Sequence, residues 1–216
     1  MLLRKIISLV VFAMLPCMVT AQVVQWSTYL NTTGFDNFID LVKDNAGDIY
    51  VLGTTNSNGF PVTSGAVQTG TIQGRHKYTV SKISGSTGAL VWSTYLGSSN
   101  DYSTLGNSCK LYWDNASNSL CVWVYSRGGD FPVVNGNLHT SGVSISSVFA
   151  QLDRSTGSLL FSTYLFDVET MVSYFQNSFF DRVQFDNGFA WFLGVGTNGK
   201  TILISKLNLF SHSFFF

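Results

Sequence analysis

Two aspartates at matching places in the sequence are the first candidates for metal chemistry. Asp36 and Asp101 each stand just before a predicted strand. A calcium ion binds several oxygen ligands at once, but the loop around each aspartate supplies no second carboxylate, although Asp40 is near Asp36. We therefore interpret both as turn residues whose carboxylates accept hydrogen bonds from loop amides. We predict no metal site and no cofactor.

The histidines give little support for catalysis. His76, His139 and His212 are isolated, and His76 lies between two basic residues, which is typical of a solvated strand start. A Ser-His-Asp triad is assembled in space, so the sequence alone leaves one open. The Gly-x-Ser-x-Gly nucleophile elbow is absent from the sequence, however. We predict no catalytic residue.

Two cysteines, Cys109 and Cys121, flank a predicted turn at residues 114–117. In an oxidising compartment they could form one disulfide. Alternatively, they are two small buried apolar residues on separate strands, and both alternatives stay open. The sequence has no Cys-x-x-Cys pair, no His-Glu-x-x-His motif and no Cys/His cluster, so it does not support a zinc site.

The N-terminus has the pattern of a secretory signal peptide. Arg4 and Lys5 precede an apolar run of about ten residues, and small residues follow up to Ala21. The run is shorter than the about 20 residues of a membrane-spanning helix. Cleavage after Ala21 would remove residues 1–21 and leave Gln22 as the first residue. We therefore expect a secreted or cell-surface protein with no membrane span after signal removal.

Composition argues against nucleic-acid binding and favours β-structure. The chain has 12 basic and 12 acidic residues, and the basic ones are scattered rather than grouped into a stripe. Charged residues make up 11% of the chain and aromatic residues 15%. Such a chain, rich also in Val, Ser, Thr, Gly and Asn, favours strands and turns over helices.

One pentapeptide occurs three times and sets the architecture. Its copies are Trp26–Leu30, Trp92–Leu96 and Phe161–Leu165, and the two intervals between them are nearly equal. Such a period is typical of stacked or ring-shaped repeat folds. Each repeat reads as short alternating segments separated by turns, up to four strands a unit. The predicted strands are 38–42, 48–54, 78–83 and 90–96, then 110–113, 120–125, 148–152 and 159–165, then 190–194 and 201–207.

The predicted fold is therefore all-β, an incomplete β-propeller of about three four-stranded antiparallel blades. The repeat region covers residues 22–208. Its predicted parts are blades at about 36–96, 101–165 and 172–208, an orphan strand at 25–30, and an aberrant Phe-rich tail at 209–216.

Four segments of the first unit resemble the SBBP family of β-propeller repeats, which occur mostly in secreted bacterial proteins. They are Asp-Ile-Tyr-Val-Leu-Gly at 48–53, Phe-Pro-Val-Thr at 60–63, Ser-Lys-Ile at 81–83 and Trp-Ser-Thr-Tyr-Leu-Gly at 92–97. The turn before Trp92 also resembles the docking turn of quinoprotein-type propeller repeats. That resemblance implies that the Trp92 indole packs between neighbouring blades, and it implies no quinone cofactor.

Three blades are fewer than the four to eight of typical propellers. Either the chain is part of a longer propeller, or two chains combine into one ring in which each N-terminal strand completes the partner's last blade. The tail at 209–216 lacks the repeat pattern, which favours the first explanation, although it could serve as a weak substitute fourth strand.

The expected function is a non-catalytic binding or scaffolding module, outside the cell or on its surface, with a protein or glycan partner and with self-association through open blade edges. Loops 56–74 and 128–147 are the candidate contact regions, because loops on a rigid scaffold often carry binding sites. The alternative is an extracellular enzyme, a hydrolase or lyase, built on a propeller. Clustered carboxylates or histidines would favour the enzyme, and an aromatic and amide surface would favour binding.

Overall fold

The computed structural model of the protein describes residues 23–30, 32–69, 76–99, 109–126, 129–136, 146–167, 183–186, 188–195, 202–208, 211 and 214–215. The predicted signal peptide with its cleavage site at Ala21 and Gln22, together with Asp101, His139 and His212, lies outside the described residues. No helix long and apolar enough to cross a membrane occurs among the residues that are described.

Every regular element in these stretches is a strand, which confirms the all-β class. The strands form three antiparallel four-stranded sheets, and within each sheet they follow chain order. The first sheet contains β1 (Asp36–Lys43), β2 (Ile49–Thr55), β3 (Lys77–Ile83) and β4 (Leu90–Leu96). The second contains β5 (Lys110–Asp114), β6 (Ser119–Ser126), β7 (Ser146–Asp153) and β8 (Leu159–Asp167), and the third β9 (Val183–Asp186), β10 (Phe189–Val195), β11 (Ile202–Asn208) and β12 (Phe214–Phe215).

Aspartate side chains build the first turn of the first two sheets. Asp44 Oδ1 accepts hydrogen bonds from the backbone N–H groups of Ala46 and Asp48, both at 2.9 Å. Gly47 closes that turn with a φ of +90°, a conformation that glycine adopts without a steric penalty. The corresponding turn of the second sheet starts at Asp114.

The outer strands of the first two sheets share a bulge. The register shifts between Lys82 and Ile83 opposite β4, and between Gln151 and Leu152 opposite β8. A bulge inserts one extra residue into a strand. Val91 and Leu160 are the extra residues, and both are substantially exposed.

The repeated pentapeptide anchors the Phe-Pro-Val loop to the outer strand. The Ser93 hydroxyl donates to the Pro61 carbonyl oxygen. The Ser162 hydroxyl donates to the Pro132 carbonyl oxygen at 2.6 Å. Ser93 and Ser162 are buried and hydrogen-bonded within their own repeats. Their role is therefore structural, as expected for residues that recur in every unit.

Each sheet has two faces, because successive side chains of a strand point to opposite sides. We call the face toward the next sheet in chain order the following face, and the opposite one the leading face. One continuous core joins the following face of the first sheet to the leading face of the second, and it also includes Ala190 and Leu207 of the third sheet. The following-face residues are Tyr50, Leu52, Tyr78, Val80, Trp92 and Leu96, and the leading-face residues are Leu111, Val122, Val124, Val148 and Ala150.

Two terminal segments differ from the sequence prediction. Residues 23–30 have no strand assignment, so the orphan strand predicted at 25–30 does not form. A strand needs a hydrogen-bonded neighbour, and none of the described strands pairs with this segment. At the other end, Phe214 and Phe215 pair with Leu207 and Lys206. The tail therefore supplies a short fourth strand to the third sheet, which was one of the two alternatives for it.

Candidate functional site

Asp36 and Asp40 are engaged in structural hydrogen bonds. Asp36 Oδ2 accepts from the backbone N–H of Thr32 at 2.7 Å, and both carboxylate oxygens lie within 3.2 Å of the Thr32 hydroxyl. This is the turn geometry expected from the sequence. Asp40 Oδ2 accepts from the Leu111 N–H at 2.9 Å and so joins β1 to β5 of the second sheet. Within the described residues, no three metal-ligating side chains cluster.

Cys109 and Cys121 are both free thiols and both buried. Cys121 pairs with Tyr112 across β5 and β6, whereas Cys109 precedes β5. The Cys109 Sγ lies 3.4 Å from the Tyr78 hydroxyl of the first sheet. The disulfide is therefore not formed, and the alternative of two buried thiols describes the structure. Burial raises the pKa of the Cys121 thiol, which makes it a poor nucleophile.

A charged cluster lies at the junction between the first two sheets. Lys82 Nζ forms an ion pair with Asp48 Oδ2 at 2.9 Å and donates to the backbone oxygen of Arg154 at 3.3 Å. It also lies 5.4 Å from the centre of the Tyr50 ring, a cation–π distance. The hydrogen bond from Lys82 is the largest cause that lowers the pKa of Asp48. The Lys82 side chain is almost fully buried, so its charge depends on these contacts.

Asp44 forms the second half of this junction cluster. Its side chain is fully buried, and Oδ2 accepts from the Tyr50 hydroxyl at 3.1 Å and from Arg154 Nε at 3.3 Å. Burial and the Asp44 charge both raise the pKa of Tyr50. Arg154 belongs to the turn between β7 and β8, so this ion pair connects the two sheets.

Aromatic rings fill the space around these charges. The Tyr50 ring stacks on Trp113 of β5, with centroids 5.5 Å apart and planes 13° apart. The Arg154 guanidinium lies 5.9 Å from the Trp113 ring, and Trp92 Nε1 donates to the Arg154 backbone oxygen at 2.9 Å. Each charge of the cluster therefore has a partner within the protein. We interpret the cluster as a structural clamp rather than an acid–base site.

The sequence analysis missed the charged members of this clamp. Lys82 occupies an inward position of β3, where alternation alone predicts an apolar residue. A lysine at an inward position, with Asp48 before the paired strand, was the available signal. The contact between Asp44 and Arg154 had no sequence signal, because the two residues belong to different repeats and are far apart in the chain.

Trp92 and Trp26 contact the two following turns in the same way. A Cβ placed on Gly157 would lie 2.6 Å from Trp92 Cε3, and one placed on Gly88 would lie 2.7 Å from Trp26 Cε3. Trp26 Nε1 donates to the Gly85 oxygen at 2.9 Å, as Trp92 Nε1 does to the equivalent Arg154 oxygen. Trp92 therefore lies between two sheets. Residue 26 has the same position relative to the first sheet although its segment is not a strand.

The leading face of the first sheet is uncovered along β1, whereas its residues on β3 and β4 are buried. Phe38 is 62% exposed and Leu41 48% exposed, whereas the equivalent of Leu41 in the second sheet, Leu111, is 6% exposed. A cavity of about 330 Å³ lies over this face. Its lining includes Leu30, Asp36, Asn37, Phe38, Val51, Gly53, Thr54, Phe60, Thr79 and Ser81. This surface is the candidate binding site, and no sequence pattern favoured it over the loops.

The described parts of the predicted contact loops are tied to the outer strands. The Gln68 backbone pairs with Tyr95, and Gln68 Nε2 donates to the Gly97 oxygen at 2.8 Å. In the second loop, the Phe131 N–H donates to the Tyr164 hydroxyl at 2.8 Å. These anchored parts are rigid supports. The remaining parts of the loops, 70–74 and 137–145, lie outside the described residues, as do 128 and the histidine at 139.

His76 directly precedes β3 and is half-buried. It does not belong to the junction clamp or to the lining of the cavity. No protein-family model matches this chain, and no curated protein matches it significantly.

Proposed function

We propose that this chain is a secreted or cell-surface protein that acts as a non-catalytic binding or scaffolding module, with its three sheets arranged as consecutive blades of a β-propeller. The supporting observation for the propeller is a recurring contact in which a tryptophan lies on the glycine of the following turn, Trp92 on Gly157 between two sheets and Trp26 on Gly88 before the first sheet. A repeated contact of this kind generates a repeated rotation, which is the property that defines a propeller.

The exposed β1 side of the leading face supports a binding role. Exposed apolar surface of this kind typically marks an interaction site. It carries the exposed side chains of Phe38 and Leu41 and adjoins Asn37 and the cavity. A non-catalytic role is supported by the acidic groups at the junction, since Asp44 and Asp48 are both paired with cations.

Export is tested by producing the full chain in a bacterial host and sequencing the N-terminus of the protein recovered outside the cytoplasm. The expected first residue is Gln22. The double substitution Arg4→Glu with Lys5→Glu removes the positive segment of the signal and should retain the chain inside the cell. Recovery of the wild-type chain from the cytoplasm with residues 1–21 intact would contradict secretion.

The enzyme alternative is tested with soluble xylan, chitin oligomers and pectin as probes. The purified exported chain should release neither reducing ends, the product of a hydrolase, nor unsaturated uronates, the product of a lyase. Product that increases in proportion to protein concentration would contradict the non-catalytic role. Inactivity on these probes combined with successful export leaves the proposed module as the consistent description.

A further inference from the structure

We infer that the leading face of the first sheet, where it is exposed along β1, binds the following face of the third sheet of a second copy of this chain, so that two chains close one ring of six sheets. This inference rests on the proposed propeller arrangement and names the partner of the exposed face. Six sheets fall within the four to eight of closed propellers.

An aromatic side chain on the following face of the third sheet is also exposed. Trp191 pairs with Lys206 across β10 and β11, as Tyr50 pairs with Lys82 across β2 and β3. Trp191 is therefore the third-sheet equivalent of Tyr50. Tyr50 is fully buried against the second sheet, whereas Trp191 is 38% exposed. Exposed apolar side chains therefore lie on the leading face of the first sheet, along β1, and on the following face of the third sheet, at Trp191.

A following face and a leading face already pack together within the chain. Between the first and second sheets, a following face with Tyr50 packs on a leading face with Leu111 and Trp113. The first sheet presents Leu41 and Lys43 at the places of Leu111 and Trp113. The surface that fits an exposed leading face is therefore another sheet of this repeat. Trp191 of one copy would lie near Lys43 of the other, which favours a cation–π contact.

The N-terminal segment lies where the outer strand of a preceding sheet would lie. Trp26 holds the position, relative to the first sheet, that the outer strand β4 holds relative to the second. Tyr29 is 88% exposed, although its repeat equivalents Tyr95 and Tyr164 are buried. The segment is thus placed as the outer strand of a preceding sheet, and none of the described strands of its own chain pairs with it.

The third sheet has an edge that this segment fits. Its outer strand β12 spans only two residues and pairs with Lys206 and Leu207. Thr94 pairs with Val80 in the first sheet, and the repeat equivalents of these residues are Thr28 and Ile204. The segment around Thr28 of one copy would therefore displace β12 of the other and extend along β11, with Thr28 opposite Ile204.

The exported full chain should have twice the mass of one chain by sedimentation equilibrium at about 10 µM, a concentration that occupies an interface with a low-micromolar Kd. Leu41→Lys and Trp191→Lys should each weaken association by at least about tenfold, because each places a charge in an apolar interface. Leu160→Lys is the matched control, since Leu160 is 40% exposed at a bulge away from both faces, and it should leave the dimer intact. A wild-type chain that is monomeric, or that forms larger open assemblies, would overturn the inference.

A cross-link keeps the test decisive if either lysine variant fails to fold. The double variant Thr28→Cys with Ile204→Cys should form a disulfide between two chains under mild oxidation, seen as a dimer band without reductant. Thr28→Cys with Ser155→Cys is the mismatched control and should give no such band. A link within one chain, or none, contradicts strand exchange. A monomer that is still exported and inactive on glycans would overturn this inference and leave the proposed function standing.

Discussion

The first two sheets have the same backbone plan but different chemistry at three equivalent positions. In the first sheet, Asp48, Tyr50 and Lys82 form a charged and aromatic group at the junction. In the second sheet the same positions hold Ser119, Cys121 and Gln151, and Gln151 Nε2 lies 3.3 Å from the Ser119 hydroxyl and 3.9 Å from Cys121 Sγ.

The difference shows how a repeat protein can vary the interior without changing the strands. The register between β2 and β3 matches that between β6 and β7, so the backbone does not distinguish the two groups. In the described contacts, only the first-sheet group is linked to an arginine of the next sheet. Its Tyr50 hydroxyl donates to Asp44, and Asp44 forms an ion pair with Arg154. A buried charge depends on such a complete set of partners, whereas a neutral hydrogen-bonded group does not need them.

The largest effect is expected from Gln151→Lys. This change places an amine among Ser119 and Cys121, both buried and both without charge, and should reduce the free energy of unfolding by about 3–5 kcal/mol. Adding Ser119→Asp places an equivalent of the Asp48–Lys82 ion pair in the second sheet and should recover a large part of the lost stability. Urea denaturation followed by tryptophan fluorescence measures both. Equal stability of the single and double variants would show that the Asp48–Lys82 ion pair is not what stabilises the buried lysine in the first sheet.

The next largest effect is expected from Asp44→Ala. Removing this carboxylate takes away the group that pairs with Arg154 and accepts from the Tyr50 hydroxyl. The free energy of unfolding should therefore fall by about 4 kcal/mol. Asp114→Ala is the matched control, because Asp114 is equally buried but accepts only from its own turn in the described contacts. It should cost about 2 kcal/mol. Similar losses of stability for the two variants, measured by urea denaturation, would show that the ion pair between Asp44 and Arg154 of the next sheet adds no stability.

A smaller effect is expected at the turn glycines. Gly157→Ala forces a side chain into a φ of +72° and against the buried Trp92 ring, and should destabilise by about 2–3 kcal/mol. Gly88→Ala meets Trp26 with the same φ, but Trp26 lies on a segment outside any sheet and can move away. Its loss should be about 1–2 kcal/mol. Thermal unfolding monitored by circular dichroism would rank the two variants by stability. A larger loss for Gly88→Ala than for Gly157→Ala would contradict this account of the two tryptophan–glycine contacts.

The smallest effect is expected from acid. The folded-state pKa of Asp48 is lowered mainly by its hydrogen bond from Lys82. A lowered pKa means that this contribution to stability is complete above the unfolded value of about 4 and is lost as the pH falls through the folded value. Unfolding midpoints measured between about pH 2 and pH 6 should therefore fall toward acid.

Lys82→Gln removes the cause of that shift and is the control for the acid effect. The midpoint of this variant should change less over the same pH range than that of the wild type. Parallel pH profiles for the two proteins would assign the acid sensitivity to other carboxylates. Asp153 is one candidate: burial raises its pKa, but the hydrogen bonds from Thr156 and Ser155 prevail and lower it.

Much of the local structure could be predicted from the sequence. The alternation at 48–54 and 78–83 predicted β2 and β3, and the pentapeptides at 92–96 and 161–165 predicted β4 and β8 to within a few residues. The turn role of Asp36 was predicted as well. These features depend on residues close together in the chain, where side-chain alternation and turn chemistry are sufficient.

The candidate site was predicted much less well. The same pentapeptide at 26–30 predicted a strand, but that segment has no strand assignment. The sequence favoured the loops as contact regions, whereas the exposed apolar surface lies on Phe38 and Leu41 of β1. Whether an apolar strand face is covered depends on the sheet beside it, and no local pattern contains that information.

The sequence by itself therefore determined the strands, the turns and the repeat. These follow from periodicity over a few residues and from one motif that recurs at near-constant spacing. The tertiary structure decided three further features. Arg154 reaches Asp44 from a different repeat, Cys109 and Cys121 remain free buried thiols, and Phe38 and Leu41 of β1 are exposed on the leading face of the first sheet. The physical reason is that burial, ion pairing and exposure are properties of distant segments brought together, and these are fixed only when the sheets pack.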